Sequence, residues 1–322
     1  MICGQKEIKA GGNSFAGYIL AKKTVKEDNM SIFEVIIQGI IQGVTEFLPV
    51  SSSGHLSLYQ HFTGNSGEGA LLLSVFLHLG TLLAIFIAFW PTILGIIKEF
   101  FLMIKDIFTG RFKWKEMNGD RRVIIMLIIS CAMLLPFYIF KDFFENVAQD
   151  TDILVEGLCF LYTSFILFLS DRCRKGNKKF ENITVKDSVR VGLFQGVALL
   201  PGVSRSGSTI SSGLFSGFSR ETAVQYSFIL GIPAILGGCL SEVVGAVKEP
   251  STDFQAMNYI IGFVVAAIVG ICAIKMVNWL VKSDKFKIFG VYTCILGLIV
   301  TAIGIFEHCS GMNIVDHIMD LS

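Results

Sequence analysis

Two apolar stretches of this chain are copies of one another, and both are interrupted by residues that a membrane-spanning helix accommodates only with help. Gly39 to His55 (GIIQGVTEFLPVSSSGH) and Gly192 to Ser208 (GLFQGVALLPGVSRSGS) align without a gap. They share Gly39/Gly192, Gln42/Gln195, Gly43/Gly196, Val44/Val197, Val50/Val203, Ser51/Ser204, Ser53/Ser206 and Gly54/Gly207. Pro49 and Ser51 to Gly54 break the first copy; Pro201, Gly202 and Ser204 to Gly207 break the second. Each therefore reads as two half-helices that dip into a bilayer and return. Non-helical backbone at that depth must be satisfied by surrounding protein or by a water-filled cavity. The copies differ where chemistry would sit: Glu46, Ser52 and His55 in the first, Arg205 opposite Ser52 in the second. A carboxylate and an imidazole in one copy and a guanidinium in the other point to one composite site at a repeat interface.

The rest of the chain supports a membrane setting. Hydrophobic residues make up 52% of it and the mean hydropathy is +0.64. Six further segments are long and apolar enough to span: 71–90, 122–141, 152–170, 222–245, 257–280 and 288–307. The expected fold is an all-α polytopic membrane protein, an inverted-topology repeat of six transmembrane helices plus two re-entrant helix-break-helix motifs. Residues 31–170 form the first repeat, 171–307 the second and 308–322 a C-terminal tail. Residues 1–30 are polar and lack the apolar core of a signal peptide. They read as a leader, or as residues ahead of a natural start at Met30. The net charge of +1 gives no reason to expect a nucleic acid partner. Of the eight cysteines, Cys131, Cys159, Cys239, Cys272 and Cys294 fall inside apolar spans, which suits small buried side chains better than a disulfide frame or zinc site.

Lys and Arg collect on the cytoplasmic side of membrane proteins. Here they crowd into 98–122 (Lys98, Lys105, Arg111, Lys113, Lys115, Arg121, Arg122), 171–187 (Arg172, Arg174, Lys175, Lys178, Lys179, Lys186) and the turn holding Lys282, Lys285 and Lys287. The segments 63–70, 142–151, 246–256 and 308–322 hold only Lys248 between them. Both ends of the hydrophobic body are thus expected outside. Each repeat is one re-entrant motif and three spans, and three is odd, so the second repeat enters from the opposite side. The broken tips can then meet near the midplane. A lysine-bearing leader would have to lie outside, which favours Met30 as the start.

An ionised side chain at bilayer depth costs about 2.5–3.5 kcal/mol on insertion scales, so Glu46 and Arg205 need a partner, a cavity or a task. A structural ion pair alone does not call for His55 and two serine clusters beside it. His78, in HLGT, reads as a packed, hydrogen-bonded histidine. Ser and Gly at a helix break leave N–H groups free at the head of the next half-helix, a geometry that binds phosphate oxygens. Ser51, Ser53 and Gly54 offer it in one motif, Ser204, Ser206, Gly207 and Thr209 in the other, with Gln42 alongside. Ser52 as nucleophile, His55 as acid/base or alternative nucleophile, Glu46 as carboxylate and Arg205 as charge stabiliser are parts that phosphoryl transfer needs. Spacing alone leaves hydrolysis, transport and binding open. The favoured assignment has Ser52 attack, His55 as base, and Glu46 orienting the imidazole or holding a cation.

At these residues the chain resembles the bacterial undecaprenyl-diphosphate phosphatases, also known as bacitracin-resistance proteins. The matching stretches are Gln42 to Glu46 running into PVSSSGH (Pro49 to His55), PGVSRSGSTI (Pro201 to Ile210), FLHLGTLLA (Phe76 to Ala84) and SFILGIPAILGG (Ser227 to Gly238). The resemblance covers about residues 31–306. It implies removal of the terminal phosphate from a C55 isoprenyl diphosphate at the outer face of the bacterial plasma membrane, recycling the lipid carrier of cell-wall synthesis. It also implies that Glu46, His55 and Arg205 are essential and that a divalent cation, magnesium or calcium, takes part. Many members carry Glu where this chain has Gln42, which leaves Glu46 and substrate oxygens as the cation's ligands. The main competing expectation is a lipid-phosphate transporter or flippase on the same architecture. A homodimer is compatible with the sequence and is not specified by it.

Overall fold

The computed structural model describes residues 31–63, 70–140, 153–248, 256–282, 285–310 and 314. The expected leader and most of the charge-poor connections and tail lie outside the described residues. Twelve α-helices follow in order among those described: α1 (Ile32–Thr45), α2 (Ser52–Thr63), α3 (Ala70–Ala88), α4 (Trp90–Phe108), α5 (Gly119–Ala132), α6 (Leu135–Tyr138), α7 (Leu154–Asp171), α8 (Val185–Val197), α9 (Arg205–Phe215), α10 (Arg220–Lys248), α11 (Ala256–Lys282) and α12 (Lys287–Ser310).

Segments Leu154–Asp171, Arg220–Val244, Ala256–Lys282 and Lys287–Ser310 are each long and apolar enough to cross a bilayer. Their outer faces carry exposed apolar side chains, among them Ile260, Val264 and Ile268 on α11 and Ile295, Leu298 and Ile305 on α12. A soluble protein would bury such stripes, so these faces belong against lipid. The chain is a multi-pass, all-helical membrane protein.

Two expected segments differ. The stretch 122–141 is not one helix: α5 stops at Ala132 and α6 is a single turn. Pro136 explains the stop, since it has no N–H to give the Ala132 carbonyl and disfavours helical backbone before it. The basic segment expected as a loop from 98 onward is largely helical, with Lys98 and Lys105 on α4. That helix leaves α3 at 88°. The bend falls at Phe89, just ahead of Pro91, which withholds a donor from Ile87.

Both repeated motifs are helix-break-helix units, α1–α2 and α8–α9. Ser31 and Glu34 form a reciprocal capping box on α1, and Thr184 and Asp187 form the equivalent box on α8. Glycines set the close packing of each unit on its neighbour. A Cβ at Gly43 would stand 2.8 Å from the Val269 side chain of α11, and one at Gly192 would stand 2.5 Å from the Ser130 carbonyl oxygen of α5. Gly157 and Gly297 do the same between α7 and α12. The pairing is reciprocal: the first motif leans on α11 of the second half, the second motif on α5 of the first, while α3 packs on α10 and α7 on α12. The two tips touch, the Gly202 N–H donating to Ser53 Oγ at 3.2 Å and Ser206 Oγ–H donating to the Leu48 carbonyl at 3.1 Å.

Candidate functional site

Glu46 closes α1 at the first break, and its carboxylate gathers groups from both motifs. Gln42, one turn earlier, donates Nε2–H to Oε2 at 3.0 Å, and Ser52, at the head of α2, donates its hydroxyl to the same oxygen at 2.7 Å. Arg205, at the head of α9, reaches Oε1 with Nη2 at 2.7 Å. Its Nη1 donates to the Ser227 carbonyl of α10 at 3.2 Å. The guanidinium rests on Gly231 of α10, where any Cβ would collide with Nη1. The Glu46 and Arg205 side chains are only 7% and 16% exposed. A buried pair of this kind persists only when its remaining hydrogen-bonding capacity is met, as Gln42, Ser52 and Ser227 do here.

The two helix heads are built alike. Ser51 Oγ accepts from the Gly54 N–H at 3.2 Å, and Ser204 Oγ accepts from the Gly207 N–H at 3.0 Å. Ser51 adopts a left-handed φ of 75°, a costly conformation for a side chain other than glycine, and thereby turns the chain sharply into α2. Gly54 fits beneath Phe160 and Gly207 against Thr163. Thr209 donates its hydroxyl to the Arg205 carbonyl at 2.9 Å and lies 2.6 Å from Ser227 Oγ.

His55 is placed elsewhere. Its Nδ1 lies 2.7 Å from the Ser51 carbonyl, which can only accept, so Nδ1 carries the proton and Nε2 accepts from Tyr292 O–H at 2.7 Å. The ring stacks on Tyr292 of α12 with centroids 5.7 Å apart and meets the edge of Phe160 at 5.3 Å. The expected Ser52–His55 contact is therefore absent from the described hydrogen bonds, and Glu46 touches the Ser52 hydroxyl instead of orienting the imidazole. Bonding back to its own turn swings the ring towards α12, while Ser52 points across the break to Glu46.

A cavity of about 210 Å³ opens at this junction, lined by Glu46, Ser52, Ser53, Ser204, Arg205 and Ser206. Gln42, Ser51, Gly54, His55, Gly207 and Thr209 are not in its wall; they brace the residues that are. His78 of α3 and Glu242 of α10 complete the wall from outside the repeated motifs. Sequence reasoning set His78 aside as packing and passed over Glu242, Gly231, Ser227 and Tyr292. An ionisable residue inside an apolar span was the available signal for Glu242; Gly231 and Ser227 lay within a stretch singled out for its similarity alone.

The donor set does not suit a cation held by protein alone. Glu46 already accepts from Gln42, Ser52 and Arg205, the Gln42 amide faces it as a donor, and no group of three metal-ligating side chains occurs among the described residues.

A family model described as bacitracin resistance protein BacA matches residues 35–299. The undecaprenyl-diphosphatase of Alkaliphilus metalliredigens is 39% identical over 274 residues, covering 84% of this chain and 98% of that protein. Those of Halothermothrix orenii, 37% identical over 278 residues, and Methanobrevibacter smithii, 38% identical over 276, cover 86% and 84% of this chain and 100% and 97% of their own length.

Proposed function

The chain belongs to the BacA family of bacitracin resistance proteins, and from that membership we propose that it hydrolyses undecaprenyl diphosphate to undecaprenyl phosphate and inorganic phosphate. It is a membrane phosphatase that returns a lipid carrier to cell-wall synthesis. The observation that carries the reading is the Glu46 carboxylate clamped between the Ser52 hydroxyl and the Arg205 guanidinium where the two broken motifs meet. Transport needs binding groups and a gate. A hydroxyl held on a buried carboxylate beside an arginine is instead the arrangement of an activated nucleophile.

In this reading the terminal phosphate enters the cavity and its oxygens compete for Arg205 and for the N–H groups at the heads of α2 and α9. Drawing the guanidinium off Glu46 frees that carboxylate to take the Ser52 proton. Ser52 Oγ then bonds to the terminal phosphorus, the bond from phosphorus to the bridging oxygen breaks, and undecaprenyl phosphate leaves carrying that oxygen. Glu46 hands its proton to the departing phosphate. Water next attacks the phosphoserine, giving a proton to Glu46, which returns it to Ser52 Oγ as inorganic phosphate is released. His55 supports this chemistry by fixing the Ser51 turn through Nδ1–H.

We extend the reading to an inverted repeat, supported by the reciprocal packing of α1 on α11 and α8 on α5. The break after α5 is then part of a span carried by α5 and α6 together. The charge-poor connections support a site that opens to the outer face of the plasma membrane. A divalent cation, where one takes part, would be held by substrate oxygens and would neutralise charge on the diphosphate.

The test is phosphate release by the purified, detergent-solubilised protein, followed by rapid quenching with substrate labelled in its terminal phosphate. Acid-stable phosphoserine at Ser52 is expected. Acid-labile phosphohistidine at His55, or turnover without a covalent adduct, excludes Ser52 attack. Binding of the lipid without any phosphate release favours the transporter reading.

A further inference from the structure

The cavity wall opposite the two motifs carries a second ionisable pair. Ser74 and His78 lie one turn apart on α3, and Glu242 comes from α10. Ser74 Oγ–H donates to Glu242 Oε1 at 3.1 Å and lies 3.3 Å from His78 Nδ1, so one hydroxyl joins the imidazole to the carboxylate. His78 Nδ1 is 2.9 Å from the Ser74 carbonyl, which fixes the proton on Nδ1. Nε2 has no partner among the described residues, and His78 lines the cavity. Glu242 Oε2 is buried and likewise lacks a partner. A buried polar atom without a partner is costly unless a ligand or proton meets it.

Charge completes the argument. The ionisable groups around His78 are Glu242 beside it, Glu46 and Arg205 across the cavity, and the Cys239 thiol, which donates to the Val75 carbonyl. Arg205, which the phosphate must draw off Glu46, is the one cation among these groups, and it faces two carboxylates. A proton on Nε2 supplies a second, as an N–H donor on a residue that lines the cavity.

We propose that His78 is a proton-dependent contact for the diphosphate, its imidazolium Nε2–H donating to a phosphate oxygen, with Glu242 tied to the ring through the Ser74 hydroxyl. The proposal rests on the phosphatase reading only for the identity of the natural ligand. Its sign is definite. Binding the anion favours the protonated imidazole, so affinity falls as rising pH takes that proton away.

The experiment measures inorganic diphosphate binding by titration calorimetry from pH 5.5 to 8.5, and in parallel KM and kcat with the C55 diphosphate. Wild-type affinity should fall about tenfold across the range, the loss of one charge-assisted hydrogen bond. His78→Gln should bind about tenfold more weakly at low pH, show no further fall, and raise KM with kcat within about threefold of wild type. Glu242→Gln should keep the fall, because the ring that carries the proton is still present. A wild-type pH profile in His78→Gln overturns the proposal. If that variant is not recovered folded, His78→Asn takes its place, and a wild-type profile there overturns the proposal. A wild-type protein that binds diphosphate with this His78-dependent profile yet releases no phosphate would remove the phosphatase reading and leave the contact standing.

Discussion

A single methyl group at position 231 would occupy the space that the Arg205 guanidinium now fills. Gly231 never touches Glu46, yet it decides whether the arginine lies flat on α10 and within 2.7 Å of that carboxylate. Gly231→Ala should therefore displace a catalytic charge by about an ångström, a misplacement worth about 10²-fold in rate. The expected result is kcat/KM lowered by that order with the thermal midpoint in detergent nearly unchanged, since an alanine suits a helix interior better than a glycine. An activity within threefold of wild type would mean the guanidinium has another resting place. Glu46→Gln removes the proposed base while keeping a polar side chain of the same shape, and should lower kcat by about 10²–10⁴-fold. Combined with Ser52→Ala it should cost little more than either change alone, because the carboxylate and the hydroxyl act in one step. Losses that multiply in the double variant would separate the two residues.

At the scale of elements, the half-helices were legible because Pro49, Pro201 and the serine runs break apolar stretches too short to span. Their meeting was legible because each break lacks what the other carries. What sequence missed has a common physical origin: proline acting on a helix that hydropathy alone would continue. Pro136 ends α5 inside an apolar run, and Pro91 bends α3 into α4, so that Lys98 and Lys105 ride a helix. The orientation of His55 was also hidden, since residues three apart share a face in mid-helix but Ser52 opens its helix and points back across the break. Two element-scale outcomes follow. A Cβ at Gly43 would come within 2.8 Å of Val269 and 2.9 Å of the Ala266 carbonyl oxygen. Gly43→Val should thus push α1 off α11 and cost about 1–3 kcal/mol, read as a lowered thermal midpoint. The second concerns the head of α8, where Asp187 accepts from Lys178 Nζ at 2.9 Å and from the Thr184 N–H at 3.0 Å. Burial pushes its pKa up, but Lys178 and the Thr184 donors outweigh burial and hold it below the usual 3.8. The sign for a depressed carboxylate is stability present above the unfolded pKa and lost as pH falls through the folded one. Asp187→Asn should be less stable by about 1 kcal/mol at pH 7, and melts recorded towards pH 3 should bring variant and wild type together.

For the whole molecule the deciding quantity is where charge can rest relative to the bilayer. α12 has 24 residues, which at 1.5 Å per residue is about 36 Å, enough to carry its two ends to opposite sides of a core of about 30 Å. Lys287 opens it beside Lys285, and Cys309 lies exposed near its far end. The basic residues that follow α4 and α7 belong, by the same rule, with Lys287 on the cytoplasmic side. Arg111, exposed just after α4, and Cys309 should therefore face different compartments, and the cavity's substrate should arrive from the side of Cys309. In cells producing a variant whose only cysteine is Cys309, a membrane-impermeant maleimide should label that thiol without permeabilisation. In a second variant, with every native cysteine replaced and Arg111→Cys added, labelling should need the membrane to be opened first. The pair controls for expression and thiol reactivity, because permeabilised cells must label both. Labelling of Arg111→Cys in intact cells, with Cys309 protected, would turn the molecule over. The chemistry proposed at Glu46, Ser52 and Arg205 would stand unchanged, but the lipid would be cleaved from the cytoplasmic face, and the charge asymmetry of the connections would need another cause.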